Sequence, residues 1–316
     1  MKSTVVTVTL NPALDKTVTV PALEVGGLNR VRQVRIDPGG KGINVAKVLH
    51  GFDVDVLATG LIAGGYGERL LAQLDRQGVP HSFVRVPGET RTNLKVYSES
   101  DQVTTEINEN GFDVQPQSVL EFLNVLEELL SEASYLVLAG SLPKGVSSDI
   151  YGQLVELANS KGVRTILDAD GDALKKGLEA RPYAVKPNLF ELQQLTGQGV
   201  ETLDEIISAG QTLLARGLSL VVVSMGGDGA VFLNKEETYQ VKPFPITPQS
   251  TVGAGDSMVA ALVHGLVTGK SLPELAEWAT TAGTVTASKR GTQVCTAEEV
   301  QNEVHRVTAK KLVPKA

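Results

Sequence analysis

The sequence predicts an α/β fold: a doubly wound, mostly parallel sheet with helices on both faces and a small β-sheet lid. Three observations carry this. Short β-branched runs alternate with helical patterns along the chain. The runs are apolar throughout, as strands buried on both faces must be. Two stretches, at about 16–36 and 91–107, instead alternate polar and apolar residues, the mark of antiparallel strands with one wet face.

In order, "VVTVTL" (5–10), "DVLATG" (55–60), "YLVLAG" (135–140), "VRTILDA" (163–169), "YAVKPN" (183–188) and "LSLVVVSMG" (218–226) read as buried strands. Helical patterns fill the gaps, including "SVLEFLNVLEELLSEA" (118–133), "DIYGQLVELANSKG" (149–162) and "LDEIISAGQTLLARG" (203–217). Strand–helix alternation of this kind builds a parallel sheet covered on both sides. The two period-2 stretches are too short for a core of their own, so residues 1–316 are expected to form a single domain with the lid strands inserted. The end, "AKKLVPKA", is expected to fray.

Composition narrows the function. The 316 residues are 42% hydrophobic, enough for one large core. The net charge is −7 and no long basic tract occurs, which disfavours a nucleic-acid partner. Cys295 is the only cysteine, so no internal disulfide can form and a reducing, cytoplasmic setting fits. The four histidines are scattered, leaving no zinc-type spacing, and His264 reads as a packed histidine in an apolar helix. No apolar run approaches the roughly 20 residues needed to span a bilayer, so no membrane role is expected.

In open parallel sheets, ligands gather at the carboxyl ends of the strands. That rule points to Asn11, Gly140, Asp168, Asn188 and Ser224. The most informative loop is "STVGAGDSM" (250–258), which precedes an apolar helix pattern. Glycines let a backbone approach a ligand, and the unpaired amides of a helix start attract anions. A carboxylate there, Asp256, is unfavourable beside a phosphate unless it has work to do, such as taking a proton from an attacking hydroxyl. The ordinary alternative is an aspartate helix cap after a tight turn. From this stretch alone both readings stand.

The standard ATP loop G-x-x-x-x-G-K-[ST] is absent, and "PGGKGINVAKVL" (38–49) does not complete a dinucleotide fingerprint. Yet "GGKGINVAKVL", "KPNLFEL" (186–192) and "STVGAGDSMVAALV" (250–263), in that order and spacing, resemble the ribokinase-like (PfkB) carbohydrate kinases over nearly the whole chain. "TLNPALDKTV", "GGLNRV", "ETRTNLKV" and "AGSLPKGV" resemble the phosphosugar branch of that family.

The resemblance implies a ribokinase-like domain with a β lid that transfers a phosphoryl group from ATP, with Mg²⁺, to a sugar hydroxyl. The expected substrate is fructose 1-phosphate, with tagatose 6-phosphate and fructose 6-phosphate as rivals and a non-catalytic sugar-phosphate sensor as the alternative of another class. It makes Asp256 the base and Gly253, Ala254 and Gly255 the anion hole. It places Asp15, Gly39, Gly40, Lys41, Asn44, Arg91, Asn93, Lys95 and Ser141 at the sugar phosphate, with Lys41, Arg91 and Lys95 as phosphate cations. Alternation in "RTNLK" puts Arg91, Asn93 and Lys95 on one strand face. Arg30 is a further cation that could reach the site from the lid.

The nucleotide falls to Lys186, Asn188, Ser224, Gly226, Gly229 and Thr251, and Mg²⁺ to Asn188 and Glu191. The ordinary alternative for the last pair is a helix cap with a first-turn glutamate, and for Ser224–Gly229 a hairpin turn. "ASKRGTQ" (287–293) is expected to border the adenine. A monovalent cation such as K⁺ is a further candidate. Ser250 departs from the aspartate common at that position, which leaves the backbone carbonyls of Ser250 and Val252 as its ligands. The family also implies a homodimer packed through the lids.

Overall fold

The computed structural model describes residues 4–197 and 199–312. Its strands are β1 (Thr4–Thr9), β2 (Ala13–Val20), β3 (Gln33–Gly39), β4 (Val56–Ala63), β5 (His81–Val86), β6 (Arg91–Ser98) and β7 (Val103–Asn108). They continue with β8 (Ala133–Ala139), β9 (Arg164–Asp168), β10 (Ala184–Val185), β11 (Leu220–Ser224), β12 (Ala230–Leu233), β13 (Thr238–Val241) and β14 (Ala309–Leu312). The helices are α1 (Lys41–Gly51), α2 (Gly64–Arg76), α3 (Pro116–Leu129), α4 (Ile150–Ser160) and α5 (Gly171–Glu179), then α6 (Leu189–Thr196), α7 (Leu203–Ala215), α8 (Ala254–Val267), α9 (Leu272–Ala287) and α10 (Ala297–Glu303).

Among the described residues the strands form two sheets. The large one runs β14-β13-β12-β11-β10-β9-β8-β1-β4-β5. From β11 to β5 every neighbour is parallel, and β12, β13 and β14 add an antiparallel edge. One core cluster packs α1, α2, α8 and α9 on one face, and another packs α3, α4, α5 and α7 on the other. Both faces are dry, which is why the central strands lack polar alternation.

Helix starts follow local chemistry. Pro116 opens α3, where its missing N–H costs nothing. Thr202 with Glu205, and Ser271 with Glu274, close capping boxes on α7 and α9.

The small sheet runs β3-β2-β6-β7 and projects from the large one. Here the structure departs from the expectation of antiparallel strands: β2 and β6 are parallel. A parallel pair needs a long crossover, and 70 residues containing β4, α2 and β5 supply it. Residues 21–32 are loop rather than strand. Val18, Val20 and Val96 bury one another on one face of this sheet, while Val31 and Val34 stay exposed. The expected frayed end is also corrected: residues 309–312 are β14, paired with β13, and residues 313–316 lie outside the described residues. The β5 strand, "HSFVRV", carries polar residues because it is the sheet edge.

Candidate active site

Asn11, Gly140, Asp168, Asn188 and Ser224, the strand ends, all line one cleft of about 580 Å³ between the large sheet and the small one. Asp15, Lys41, Asn44, Arg91, Asn93, Lys95, Ser141, Lys186, Glu191, Thr251, Gly253, Gly255 and Asp256 line it too.

Gly253 caps α8 with φ 78°, a left-handed conformation suited to glycine. Asp256 is therefore the third residue of the helix and not its cap. The amides of Gly255 and Asp256 have no partner among the described residues, so two N–H groups and the positive helix end face the cleft. The Asp256 carboxylate is buried and accepts one bond, from Asn44 Nδ2 at 2.8 Å. Burial pushes its pKa above the ordinary carboxylate value, against the attraction of Lys41.

Asp168 ends β9 between two ammonium groups, Lys41 Nζ at 3.2 Å and Lys186 Nζ at 3.5 Å. Burial alone would raise its pKa, but the two lysines outweigh it and hold the carboxyl below its usual range. In return Asp168 holds Lys41 above the ordinary lysine value. Asp168 Oδ2 is buried without a partner among the described residues.

Arg91 and Lys95, on the same face of β6, are not equivalent. Lys95 Nζ sits 2.8 Å from Asp15 Oδ2, so its charge is matched by a carboxylate within the cleft. Arg91 has no ion-pair partner among the described residues. Its guanidinium donates to the carbonyls of Asn11 (3.0 Å) and Glu109 (2.9 Å) and to Ser141 Oγ (3.4 Å), while Nε is buried and unpaired. Asn11, Asn44 and Asn93 each keep a buried amide oxygen without a partner, a set of acceptors suited to hydroxyl groups. Gly39 has no room for a side chain, since a Cβ would lie 2.5 Å from Asp15 Cγ. Gly40, with φ 115°, caps α1.

Asn188 and Glu191 form a reciprocal capping box at the start of α6, with Glu191 N to Asn188 Oδ1 and Asn188 N to Glu191 Oε2 both 2.8 Å. The helix-cap reading of this pair is thus realised, and it leaves Glu191 one oxygen for other work. Burial raises the Glu191 pKa.

A second pocket of about 740 Å³ adjoins the cleft, sharing Asn188, Ser224, Thr251 and Gly255 with it. Gly226, Gly229 and Ala254 also line it, and the Ser224–Ala230 segment is the turn of the β11–β12 hairpin. Its apolar walls come from Pro243, Phe244, Pro245, Ile246, Met258 and Ala287. Sequence reasoning missed these, although "PFPITP" (243–248) signals a stiff loop. Of residues 287–293, only Ala287 lines this pocket. Lys289 pairs with Glu299 at 2.6 Å, and Arg290 and Gly291 turn toward the small sheet. Arg30 lies in the exposed 21–32 loop and lines neither pocket.

Residues 8–299 match the profile of the pfkB family carbohydrate kinases. The chain belongs to that family. Among pfkB relatives, 1-phosphofructokinase of Rhodobacter capsulatus is 38% identical over 312 residues, 98% of each chain. The protein of the same name from Haemophilus influenzae is 36% identical over 290 residues, 91% of this chain and 92% of the relative. The pfkB fold is shared with phosphofructokinase-2 of Escherichia coli solved with potassium (TM-score 0.90, 33% identity, 97% of this chain and 99% of that one). No helix among the described residues is long and apolar enough to cross a membrane.

Proposed function

We propose that this pfkB kinase transfers the γ-phosphoryl group of ATP to the 6-hydroxyl of fructose 1-phosphate, giving fructose 1,6-bisphosphate and ADP. The observation that carries the reading is a buried carboxylate, Asp256, at a helix start with free amides, sharing an acceptor-rich cleft with Arg91. Asp256 takes the hydroxyl proton, and the Gly253–Gly255 turn holds the transferring phosphoryl group. Arg91, with Ser141, grips the sugar phosphate, while Asp15, Asn93 and Asn44 receive sugar hydroxyls. Lys95 serves by fixing Asp15. The names of the two relatives favour fructose 1-phosphate over a 6-phosphate.

The nucleotide fits the adjoining pocket, with its base against the Pro243–Ile246 wall and its phosphates toward Lys41, Lys186 and Thr251. Six carboxylates (Asp15, Glu106, Asp168, Asp170, Glu191, Asp256) and four cations (Lys41, Arg91, Lys95, Lys186) line the cleft. A triphosphate entering this acidic setting needs a cation of its own. Bound Mg²⁺ offsets phosphate charge, and the spare oxygen of Glu191, with water, is the protein group assigned to it. No cluster of three or more His, Cys, Asp or Glu among the described residues could hold a metal by itself, in keeping with an ion shared with phosphate. For K⁺ we assign the carbonyls of Ser250 and Val252, which accept no hydrogen bond among the described residues.

The small sheet acts as a lid on one kinase domain, excluding water as it closes. Exposed Val25, Leu28, Val31, Val34 and Ile107 on it suit a homodimer packed lid to lid. Sedimentation as a monomer at micromolar concentration would remove that assignment. We assign the kinase to the cytoplasm, with its ATP supply.

ADP release tests the whole reading. With MgATP, fructose 1-phosphate turns over strongly, fructose 6-phosphate and tagatose 6-phosphate weakly, and Asp256→Asn loses turnover by roughly 10²–10⁴-fold. Preference for a 6-phosphate would overturn the substrate, and an active Asp256→Asn would overturn the base.

A further inference from the structure

The first turns of α1 and α8 meet in the cleft, and one hydrogen bond joins them. Asn44 Nδ2 donates to Asp256 Oδ2 at 2.8 Å, with Asn44 5% exposed and Asp256 7%. With the carboxylate ionised the amide must donate, because turning it over would set a carbonyl oxygen against a carboxylate. Two atoms remain over. The second carboxylate oxygen, Asp256 Oδ1, has no partner among the described residues, and Asn44 Oδ1 is buried and unpaired.

We propose that Asn44 is the positioning residue of the catalytic base. Its amide anchors Asp256 Oδ2, leaves Oδ1 as the oxygen that meets the acceptor hydroxyl, and favours the ionised carboxylate over the neutral acid. The unpaired Asn44 oxygen receives a second hydroxyl of the same sugar, so the substrate and its base are aligned through one side chain. This rests on the reading of Asp256 as the base.

A buried carboxylate left to itself favours its neutral form, which cannot accept a proton. Burial is the largest influence on Asp256 and acts in that direction, and the neighbouring Asp168 charge adds to it. Lys41 and Lys186 oppose it by charge, and Asn44 opposes it by direct contact. Lys41 also feels Glu191, and Lys47, further along α1, feels Asp256. The lysine contribution is divided, because Lys41 and Lys186 both lean on Asp168. An arriving triphosphate competes for the same two ammonium groups. The Asn44 amide is neutral and its side chain makes no other hydrogen bond among the described residues, so its support for the carboxylate persists when the nucleotide binds. A single anchored oxygen also stops the carboxylate from rotating.

The step balances as follows. The acceptor O–H bond breaks and its proton passes to Asp256 Oδ1. The oxygen's electron pair forms the new O–P bond while the bond from the γ-phosphorus to the ADP oxygen breaks. Asp256 then gives its proton to solvent as product leaves.

The test is a carboxyl titration by ¹³C NMR in protein labelled at aspartate, with the Asp256 signal identified by its loss in Asp256→Asn. In the wild type its midpoint lies above that of an ordinary aspartate. In Asn44→Ala it rises by about 1–2 pH units, as expected for losing a hydrogen bond to a charged group. The acid limb of kcat/KM moves up with it. Asn44→Asp keeps the side-chain volume and serves where the alanine variant unfolds. It sets a second carboxylate against the first, and the pair titrates with one midpoint raised further still. An Asp256 midpoint and acid limb that stay put in both variants, with only KM raised, would overturn the proposal and reduce Asn44 to a sugar contact. The NMR midpoint needs no substrate, so a wild type inactive on fructose 1-phosphate would count against the proposed substrate and not against this bond.

Discussion

Lys95 and Asp15 form a buried ion pair across two strands far apart in the chain. The atoms are 2.8 Å apart, and each side chain is 4% exposed. Parallel pairing of β2 with β6 sets Asp15 opposite Asn93 and Thr17 opposite Lys95, so the carboxylate receives Asn93 Nδ2 at 3.1 Å as well. Removing one member of a buried pair strands the other charge at a cost of about 3–5 kcal/mol. Lys95→Met is therefore expected to lower unfolding free energy by about that much. Lys95→Met with Asp15→Asn together should cost clearly less than the sum of the two. Urea denaturation of the four proteins checks this, and strict additivity would contradict it.

Gly39 is the floor under Asp15. A methyl group there would lie 2.5 Å from the Asp15 Cγ, so Gly39→Ala must push the carboxylate aside. Losing a hydrogen bond from a charged group to the sugar corresponds to roughly a 10–100-fold rise in KM. Gly65→Ala, where nothing lies within 4 Å, is the control and should leave KM unchanged. Steady-state kinetics on fructose 1-phosphate reads both.

Glu191 caps α6, and substitution can separate that job from the Mg²⁺ role proposed for it. Glu191→Gln keeps an oxygen for the Asn188 amide, so α6 stays capped while one negative charge is lost. Its stability should match the wild type, and the Mg²⁺ concentration for half-maximal activity should rise about tenfold, the value of one charged contact. Glu191→Ala loses the cap too, at about 1 kcal/mol. A Glu191→Gln enzyme with unchanged Mg²⁺ demand would remove the glutamate from the metal assignment.

His264 packs between Phe52 (5.4 Å) and Trp278 (5.3 Å). Burial, with Lys270 close by, pushes its imidazole below the ordinary value of 6.5. Above pH 6.5 both folded and unfolded chains carry it neutral, and its contribution is complete. As pH falls below 6.5 the unfolded chain binds the proton first, so stability declines until the lower folded pKa is reached. Urea midpoints at pH 7.5, 6.5 and 5.5 should fall in that order, and His264→Leu should flatten the decline. An equal decline in both proteins would assign it elsewhere.

Much of this architecture was legible in the residues. The buried strands show as unbroken β-branched runs, and the carboxyl-end rule picked out Asn11, Gly140, Asp168, Asn188 and Ser224, which share one cleft. Register was not legible. Nothing local to "NPALD" or "RTNLK" says that Asp15 will meet Lys95, because their partnership depends on a crossover of 70 residues. The same holds for β14, whose short polar sequence becomes a strand only because β13 offers it an edge. The apolar slot was missed because its walls come from three separate segments, each unremarkable alone.

The bond between Asn44 and Asp256 spans 212 residues, and that between Thr292 and Asp37 spans 255. Contacts this distant form late, after the intervening chain has collapsed. During synthesis Asp256 therefore follows Asn44 by 212 residues, and the bond between them waits until most of the chain has been made. A chain terminated before residue 256 would carry Asp15, Arg91 and the glycines that open α1 without Asp256.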